Sequence, residues 1–135
     1  MSTHLKLFGV VVVILLALDA SWIGVIAAGF YHSQFGAFFS ATPNLKAAAL
    51  FYVLYAIALI YFVVLPALKV RSLTRAVLVG AALGFTAYMT YDLTNLATLA
   101  GWPAFGAAID VAWGTLMAAV TCGVTYIVAT NYLKL

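Results

Sequence analysis

Charged residues are scarce in this chain of 135 residues: 7% are charged, and there are only one cysteine and three prolines. The single cysteine, Cys122, excludes a disulfide framework and dithiol redox chemistry. Hydrophobic residues make up 67% of the sequence, and the mean hydropathy is +1.18. A soluble domain of this size leaves roughly a third of its unfolded surface in contact with water, which is too much for so apolar a chain. The composition therefore predicts an integral membrane protein.

Several signatures of catalysis and cofactor binding are also missing. Paired histidines within the apolar runs are absent, which argues against a haem or di-iron site. There is no C-x-x-C, no phosphate-binding glycine loop and no Ser–His pair suited to acyl transfer. The mild positive balance indicates topology rather than nucleic-acid binding. These absences predict no metal site and leave the cofactor and any catalytic residue undefined.

Four apolar runs are long enough to cross a bilayer as helices of about 20 residues. They cover residues 7–28, 47–65, 76–99 and 105–129. We predict an all-α integral membrane protein with four transmembrane helices in a single domain over residues 1–135. The first run is long and no small-x-small site follows it, so we interpret it as a span rather than a cleaved signal peptide.

Basic residues predict the orientation of these helices. Five of the six lie before the first run, between the second and third, or after the fourth: Lys6, Lys69, Arg71, Arg75 and Lys134. Only Lys46 lies in a loop on the other side. This positive-inside bias places both termini in the cytoplasm and the loops at 29–46 and 100–104 outside. Pro66 predicts that the second helix ends near the cytoplasmic face.

The first outer loop, FYHSQFGAFFSATPN (residues 30–44), is too aromatic for an ordinary solvated linker. Its aromatic residues predict a segment that lies in the membrane interface or folds over the mouth of the bundle. We favour interfacial anchoring, with a functional lid as the alternative. His32 lies in this loop, and we interpret it as an interfacial residue.

The only three acidic residues, Asp19, Asp92 and Asp110, lie within the predicted spans, in their outer halves. An acidic residue at a helix centre costs about 2.5–3.5 kcal/mol on insertion scales, and such residues usually face the bundle interior or a wet cavity. No basic residue lies within a predicted span to pair with them. We therefore expect that some of the three are protonated, or that a cation completes the site.

Helical spacing predicts that the acids share a pocket. On the third helix one face carries Gly80, Gly84, Tyr88, Tyr91, Asp92, Asn95 and Thr98. Its G-x-x-x-G predicts close helix packing in the inner half. On the fourth helix a face carries Asp110, Gly114, Met117, Thr121 and Thr125. We therefore expect these two helices to pack tightly below and to diverge around a polar pocket above.

Two acids have a tryptophan three residues on, Trp22 after Asp19 and Trp113 after Asp110, and this spacing could bring both indoles to the pocket. The predicted ligand- or proton-binding residues are therefore Asp92, Asp110, Asp19, Asn95, Tyr88, Tyr91, Trp113 and Trp22. Three carboxylates and an amide could also hold a hard cation if they converge. The alternative is structural: Asp92 would bond Asn95 or Tyr88, and Asp110 would cap its own helix.

The stretch Y-D-L-T-N-L-A-T-L-x-G-W-P (residues 91–103), followed by D-x-A-W-G-T (residues 110–115), resembles the family designated domain of unknown function 2177. The resemblance covers essentially the whole chain, and Asp92, Thr94, Asn95, Trp102, Pro103, Asp110 and Trp113 match its motif positions. It implies a four-span bacterial inner-membrane protein without an established activity. Members are often encoded near cyclopropane-type fatty-acyl synthases, which implies a link to lipid physiology.

Three functions fit these observations. The first is binding or transport of a small amphipathic or cationic molecule, such as a lipid, in an outer-leaflet pocket, with a homodimer as the natural assembly for a transporter of four helices. The second is a membrane-embedded lipid-modifying enzyme, or an accessory subunit of one, with an aspartate as general acid or base. The third is a structural subunit whose polar face docks a partner helix in a membrane complex.

Overall fold

The computed structural model describes all of residues 1–135 and is entirely helical, with no strand. Its α-helices are α1 (Thr3–Ser21), α2 (Ala28–Phe35), α3 (Leu45–Leu59), α4 (Leu65–Lys69), α5 (Leu73–Thr98) and α6 (Ala104–Asn131). Four helical segments are long and apolar enough to cross a membrane: Thr3–Ile26, Leu45–Lys69, Leu73–Thr98 and Ala104–Asn131. The prediction of an all-α, four-span membrane protein is therefore confirmed, with span edges that shift by a few residues.

Two spans contain a π-helical turn. Trp22–Ile26 extends α1, and Ile60–Val64 joins α3 to α4. The prediction that Pro66 ends the second helix is wrong, because the helix continues to Lys69. The Leu65 N–H bonds the Ile60 carbonyl in the wider π pattern, and Pro66 then falls in the first turn of α4. A proline costs little there, because the amide N–H that it lacks would have no partner within α4.

The two ends of the bundle differ in chemistry. The aromatic end carries α2, residues 36–44 and the turn at 99–103, whereas the basic end carries both chain termini and the turn at 70–72. Three helices begin with a side-chain cap, from Ser2, Asn44 and Ser72, that accepts a hydrogen bond from a backbone N–H in the first turn.

α5 and α6 form the most extensive helix pair of the bundle, and small residues explain their close approach. A Cβ atom on Gly80 would lie 3.0 Å from the Ala118 carbonyl oxygen, and one on Gly84 would collide with the Gly114 carbonyl. Gly114 in turn lies directly beneath the Tyr88 ring. The close packing predicted from G-x-x-x-G is confirmed, and it continues up to the level of Tyr88.

The two halves of the second span contact different neighbouring helices. α3 packs against α1, whereas α5 meets this span chiefly through the π turn Ile60–Val64 and α4. These contacts lie towards the basic end. The second and third spans are therefore close at the basic end and separated towards the aromatic end, which leaves room for a cavity there.

We expect Gly84→Ala to lower the free energy of unfolding by about 1–3 kcal/mol, since the added methyl group forces α5 away from the α6 backbone. Gly9→Ala is the matched control, because nothing lies within 4 Å of a Cβ atom at that position of α1. It should leave stability unchanged or raise it by up to about 1 kcal/mol. Unfolding in mixed micelles, followed by tryptophan fluorescence, measures both; equal effects would contradict the packing described.

Candidate ligand site at the aromatic end

A cavity of about 460 Å³ lies at the aromatic end of the bundle. Ten of its eleven lining residues are hydrophobic or aromatic, and only one carries a carboxyl group. The lining residues are Ile23, Tyr31, Phe35, Phe38, Phe39, Phe51, Ala87, Tyr88, Tyr91, Trp102 and Asp110. This volume falls in the range of small-molecule pockets, which are mostly apolar with a few placed polar groups.

Asp110 is the acidic group of the cavity, and an aromatic side chain holds it in place. The Tyr31 hydroxyl donates to Asp110 Oδ1 at 2.6 Å and accepts from the Trp22 indole N–H at 3.1 Å. Burial and the hydrogen bond to Asp110 raise the pKa of Tyr31 well above its ordinary value. The phenol therefore stays protonated and keeps donating to the carboxyl.

Asp19 is buried, is not among the residues that line the cavity, and has two aromatic donors of its own. The Tyr52 hydroxyl donates to Asp19 Oδ2, and the Trp113 indole N–H donates to Asp19 Oδ1 at 3.2 Å. These bonds join α1 to α3 and to α6. They make Asp19 a fixed part of the scaffold rather than a group open to the cavity.

Neither aspartate bonds the tryptophan that follows it three residues later; each is connected to the tryptophan of the other pair. Trp113, three residues after Asp110, bonds Asp19, whereas Trp22, three residues after Asp19, reaches Asp110 through Tyr31. The two indole rings stack with centroids 4.7 Å apart and planes 9° from parallel. One continuous network therefore connects both aspartates and joins α1, α2, α3 and α6.

α2 places Tyr31 and Phe35 over the mouth of the bundle. They lie four residues apart on one helical face, and both are buried. Phe35 packs against Trp102, with ring centroids 4.9 Å apart, and over Gly106, where a Cβ atom would lie 2.9 Å from the phenyl ring. These two aromatic residues therefore pack against the bundle, whereas the interfacial anchoring favoured for this loop stays a prediction.

Asp92 has no hydrogen-bond partner, although it is fully buried. Neither carboxyl oxygen has a partner, and the same is true of the buried indole N–H of Trp102. Asp110 and Trp102 are the polar groups beside it. Such unpaired groups are costly in an apolar interior and mark a position where a proton, water molecule or ligand is needed.

The structural alternatives raised for Asp92 and Asp110 are not observed. Asp92 bonds neither Asn95 nor Tyr88. Asp110 does not cap its helix, because α6 begins at Ala104, six residues earlier, and the carboxyl accepts from Tyr31 instead. Both groups are therefore held in the interior by the fold rather than by local capping.

The predicted site residues divide into three groups. Asp110, Tyr88 and Tyr91 line the cavity, and Tyr91 lies edge-on to Trp102 with ring centroids 5.7 Å apart. Asp92 neighbours two lining residues, Asp110 and Trp102, without lining the cavity itself. Asp19, Trp22 and Trp113 belong to the hydrogen-bond network and are also outside the lining. Asn95 is half-buried on α5 and is not part of the lining. No group of three His, Cys, Asp or Glu side chains is close enough together to hold a metal ion.

Sequence reasoning missed the two tyrosines that hold the aspartates. From the sequence alone, Tyr31 is one of several aromatic residues in the outer loop, and nothing distinguishes Tyr52 within the second apolar run. The available signal was the hydroxyl itself, because a buried tyrosine usually finds a hydrogen-bond partner. This chain has three acidic residues and no basic residue in its interior, so the three carboxyl groups are the strongest hydrogen-bond acceptors available to a buried tyrosine.

These features define a helical membrane protein with four spans and an acidic, aromatic-lined cavity at one end. The chain belongs to the family described as predicted membrane protein (DUF2177), whose model matches residues 4–127. The match covers the second and third spans completely, all but one residue of the first span, and most of the fourth. The resemblance seen in residues 91–103 and 110–115 is thereby confirmed. No curated protein and no solved structure matches the chain.

We expect Tyr31→Phe to lower the free energy of unfolding by about 1–3 kcal/mol, because it leaves a buried carboxyl and an indole N–H without partners. Tyr132→Phe is the control, since Tyr132 is 77% exposed and makes no side-chain hydrogen bond. The same micelle unfolding assay compares the two. Equal stabilities would show that the Tyr31 hydrogen bonds do not hold the network together.

Proposed function

We propose that the protein binds a small amphipathic molecule in this cavity, with its polar head at Asp110 and its apolar chain extending into the membrane. The observation that carries the proposal is a cavity with ten hydrophobic or aromatic lining residues and a single carboxyl group, beside the unpartnered carboxyl of Asp92. Transport of such a molecule would use the same pocket.

The separation of the second and third spans supports entry from the side. Phe51 on α3 and Tyr91 on α5 both line the cavity, and they are 45% and 56% exposed on the surface of the bundle. Phe38 and Phe39 form the rim nearest the aromatic end and are also exposed. A molecule dissolved in the adjacent leaflet could therefore enter between α3 and α5 without crossing water.

The charges around the cavity favour a cationic or hydrogen-bond-donating head. Lys, Arg and His are absent from the lining, and the acidic groups present are Asp110 and its neighbour Asp92. An anionic head would meet a carboxylate in an apolar environment with no cation to offset it, which is strongly unfavourable. A primary ammonium group would instead gain a charge-assisted hydrogen bond.

The positive-inside bias supports the orientation of this site. With Lys6, Arg71, Arg75 and Lys134 at the basic end, we infer that this end faces the cytoplasm of a bacterial inner membrane. The cavity then opens to the outer leaflet. Labelling of single cysteines introduced in the 99–103 turn of a Cys122→Ala chain, with an impermeant maleimide on intact spheroplasts, tests this orientation; labelling only after lysis would reverse it.

The probes are bromoalkyl compounds of one chain length that carry the bromine near the head group. We expect the ammonium compound to bind most tightly, the alcohol less tightly and the carboxylate most weakly. Trp102 lines the cavity, so bound bromine should quench tryptophan fluorescence of the protein in phosphatidylcholine nanodiscs. The ammonium compound should bind on the order of tenfold more tightly than the alcohol, or about 1.4 kcal/mol. Asp110→Asn should remove most of that difference. Tightest binding of the carboxylate would contradict the proposal.

We further expect Ala87→Phe to abolish saturable quenching, because Ala87 lines the cavity and a phenyl ring would occupy it. The matched control is Ala82→Phe, on an exposed position of the same helix α5. Both variants are first compared in the unfolding assay, so that a loss of binding is not a loss of fold. Equal quenching in both variants would place the molecule elsewhere.

A further inference from the structure

Three polar groups that lie close together in the interior each have an atom without a hydrogen-bond partner. Asp92 has two carboxyl oxygens without a hydrogen bond, and it is fully buried. The Trp102 indole N–H beside it has no acceptor. Asp110, which also neighbours Asp92, uses Oδ1 for Tyr31, and this leaves Oδ2 available as an acceptor. The Trp102 N–H can serve only one of these carboxyl oxygens, so acceptors still outnumber donors and the site lacks a donor.

One proton supplies that donor. If Asp92 is protonated, its O–H can donate to Asp110 Oδ2, and its second oxygen can accept from the Trp102 N–H. Two adjacent carboxyl groups in an apolar site do not both ionise, since their repulsion and the loss of hydration oppose it. The other titratable groups that line the cavity are phenols, Tyr31 on α2 and Tyr88 and Tyr91 on α5, and none is a base that could take the proton. Asp19 on α1 already accepts from Tyr52 and Trp113.

We propose that Asp92 and Asp110 share one proton in the empty protein, and that an ammonium head group entering the cavity displaces it. The exchange balances in charge: R–NH₃⁺ enters, the Asp92 O–H bond breaks, and one H⁺ leaves through the cavity to water at the aromatic end. The bound cation then faces two carboxylates. This exchange rests on the proposed function, whereas the shared proton stands without it.

The exchange makes binding depend on pH in a defined way. Release of one proton per bound ammonium strengthens binding up to tenfold per pH unit, as long as the pair is protonated in the empty protein. A neutral alcohol releases no proton, so its binding should not change over the same range. Protonation thus gives the site a means of exchanging a cationic molecule for a proton.

Infrared difference spectroscopy of the ligand-free protein in phosphatidylcholine nanodiscs tests the shared proton directly. At neutral pH we expect the C=O stretch of a protonated carboxyl group, shifted in D₂O and absent from Asp92→Asn. The Asn side chain can make the same two hydrogen bonds as a protonated Asp92, so this variant should fold. Asp19→Asn should retain the band. Absence of the band from the wild-type protein would overturn the shared proton.

Binding of the bromoalkyl ammonium compound between pH 6 and 8 (about two units, hence up to about a hundredfold) tests the exchange. In the wild-type protein its affinity should rise with pH while that of the alcohol stays constant, and saturation with the ammonium compound should remove the infrared band. In Asp92→Asn the slope should disappear. A wild-type affinity independent of pH would overturn the exchange. If the ammonium compound did not bind at all, the proposed function and the exchange would both fail, and the infrared band alone would still decide the shared proton.

Discussion

Hydrogen bonds from aromatic side chains to buried aspartates hold the aromatic end of this bundle together. The chain has no basic residue in its interior, so Asp19 and Asp110 take their donors from the Tyr52 and Tyr31 hydroxyls and from an indole N–H. A tyrosine or tryptophan supplies a polar donor on a large apolar body, which suits a membrane interior better than an ammonium or guanidinium group. The position of α2, the stacked indoles and the wall of the cavity all depend on these bonds.

The three acids therefore have different roles, although they lie at one end of the molecule. Asp19 is saturated by two donors and belongs to the scaffold. Asp110 is held by one donor and faces the cavity. Asp92 is buried with none. A hydrogen-bonded network therefore lies beside a carboxyl group that has no partner. This arrangement is expected of a preorganised site, in which the surrounding fold keeps the polar group buried and a bound molecule supplies the missing interaction.

Much of the fold could be predicted from the sequence, because apolar runs report directly on transmembrane helices and G-x-x-x-G reports on close packing. The continuation of the helix past Pro66 could not be predicted, because it depends on a π turn that no local sequence pattern indicates. Helical spacing placed Asp92 and Asn95 on one broad face but did not fix the rotation of α5, and Asn95 lies outside the cavity lining. The Tyr31–Asp110 bond joins residues 79 positions apart, and such pairings follow only from the tertiary arrangement.

We propose that a cationic amphipathic molecule enters between the second and third spans and stops at Asp110. Photo-crosslinking with a diazirine-bearing alkyl ammonium in nanodiscs, followed by peptide mapping, tests it most directly. We predict saturable labelling of Phe51 and Tyr91, on the two sides of the opening, which excess unlabelled alkyl ammonium suppresses. Labelling confined to membrane-facing residues such as Phe62, and unaffected by competitor, would contradict it.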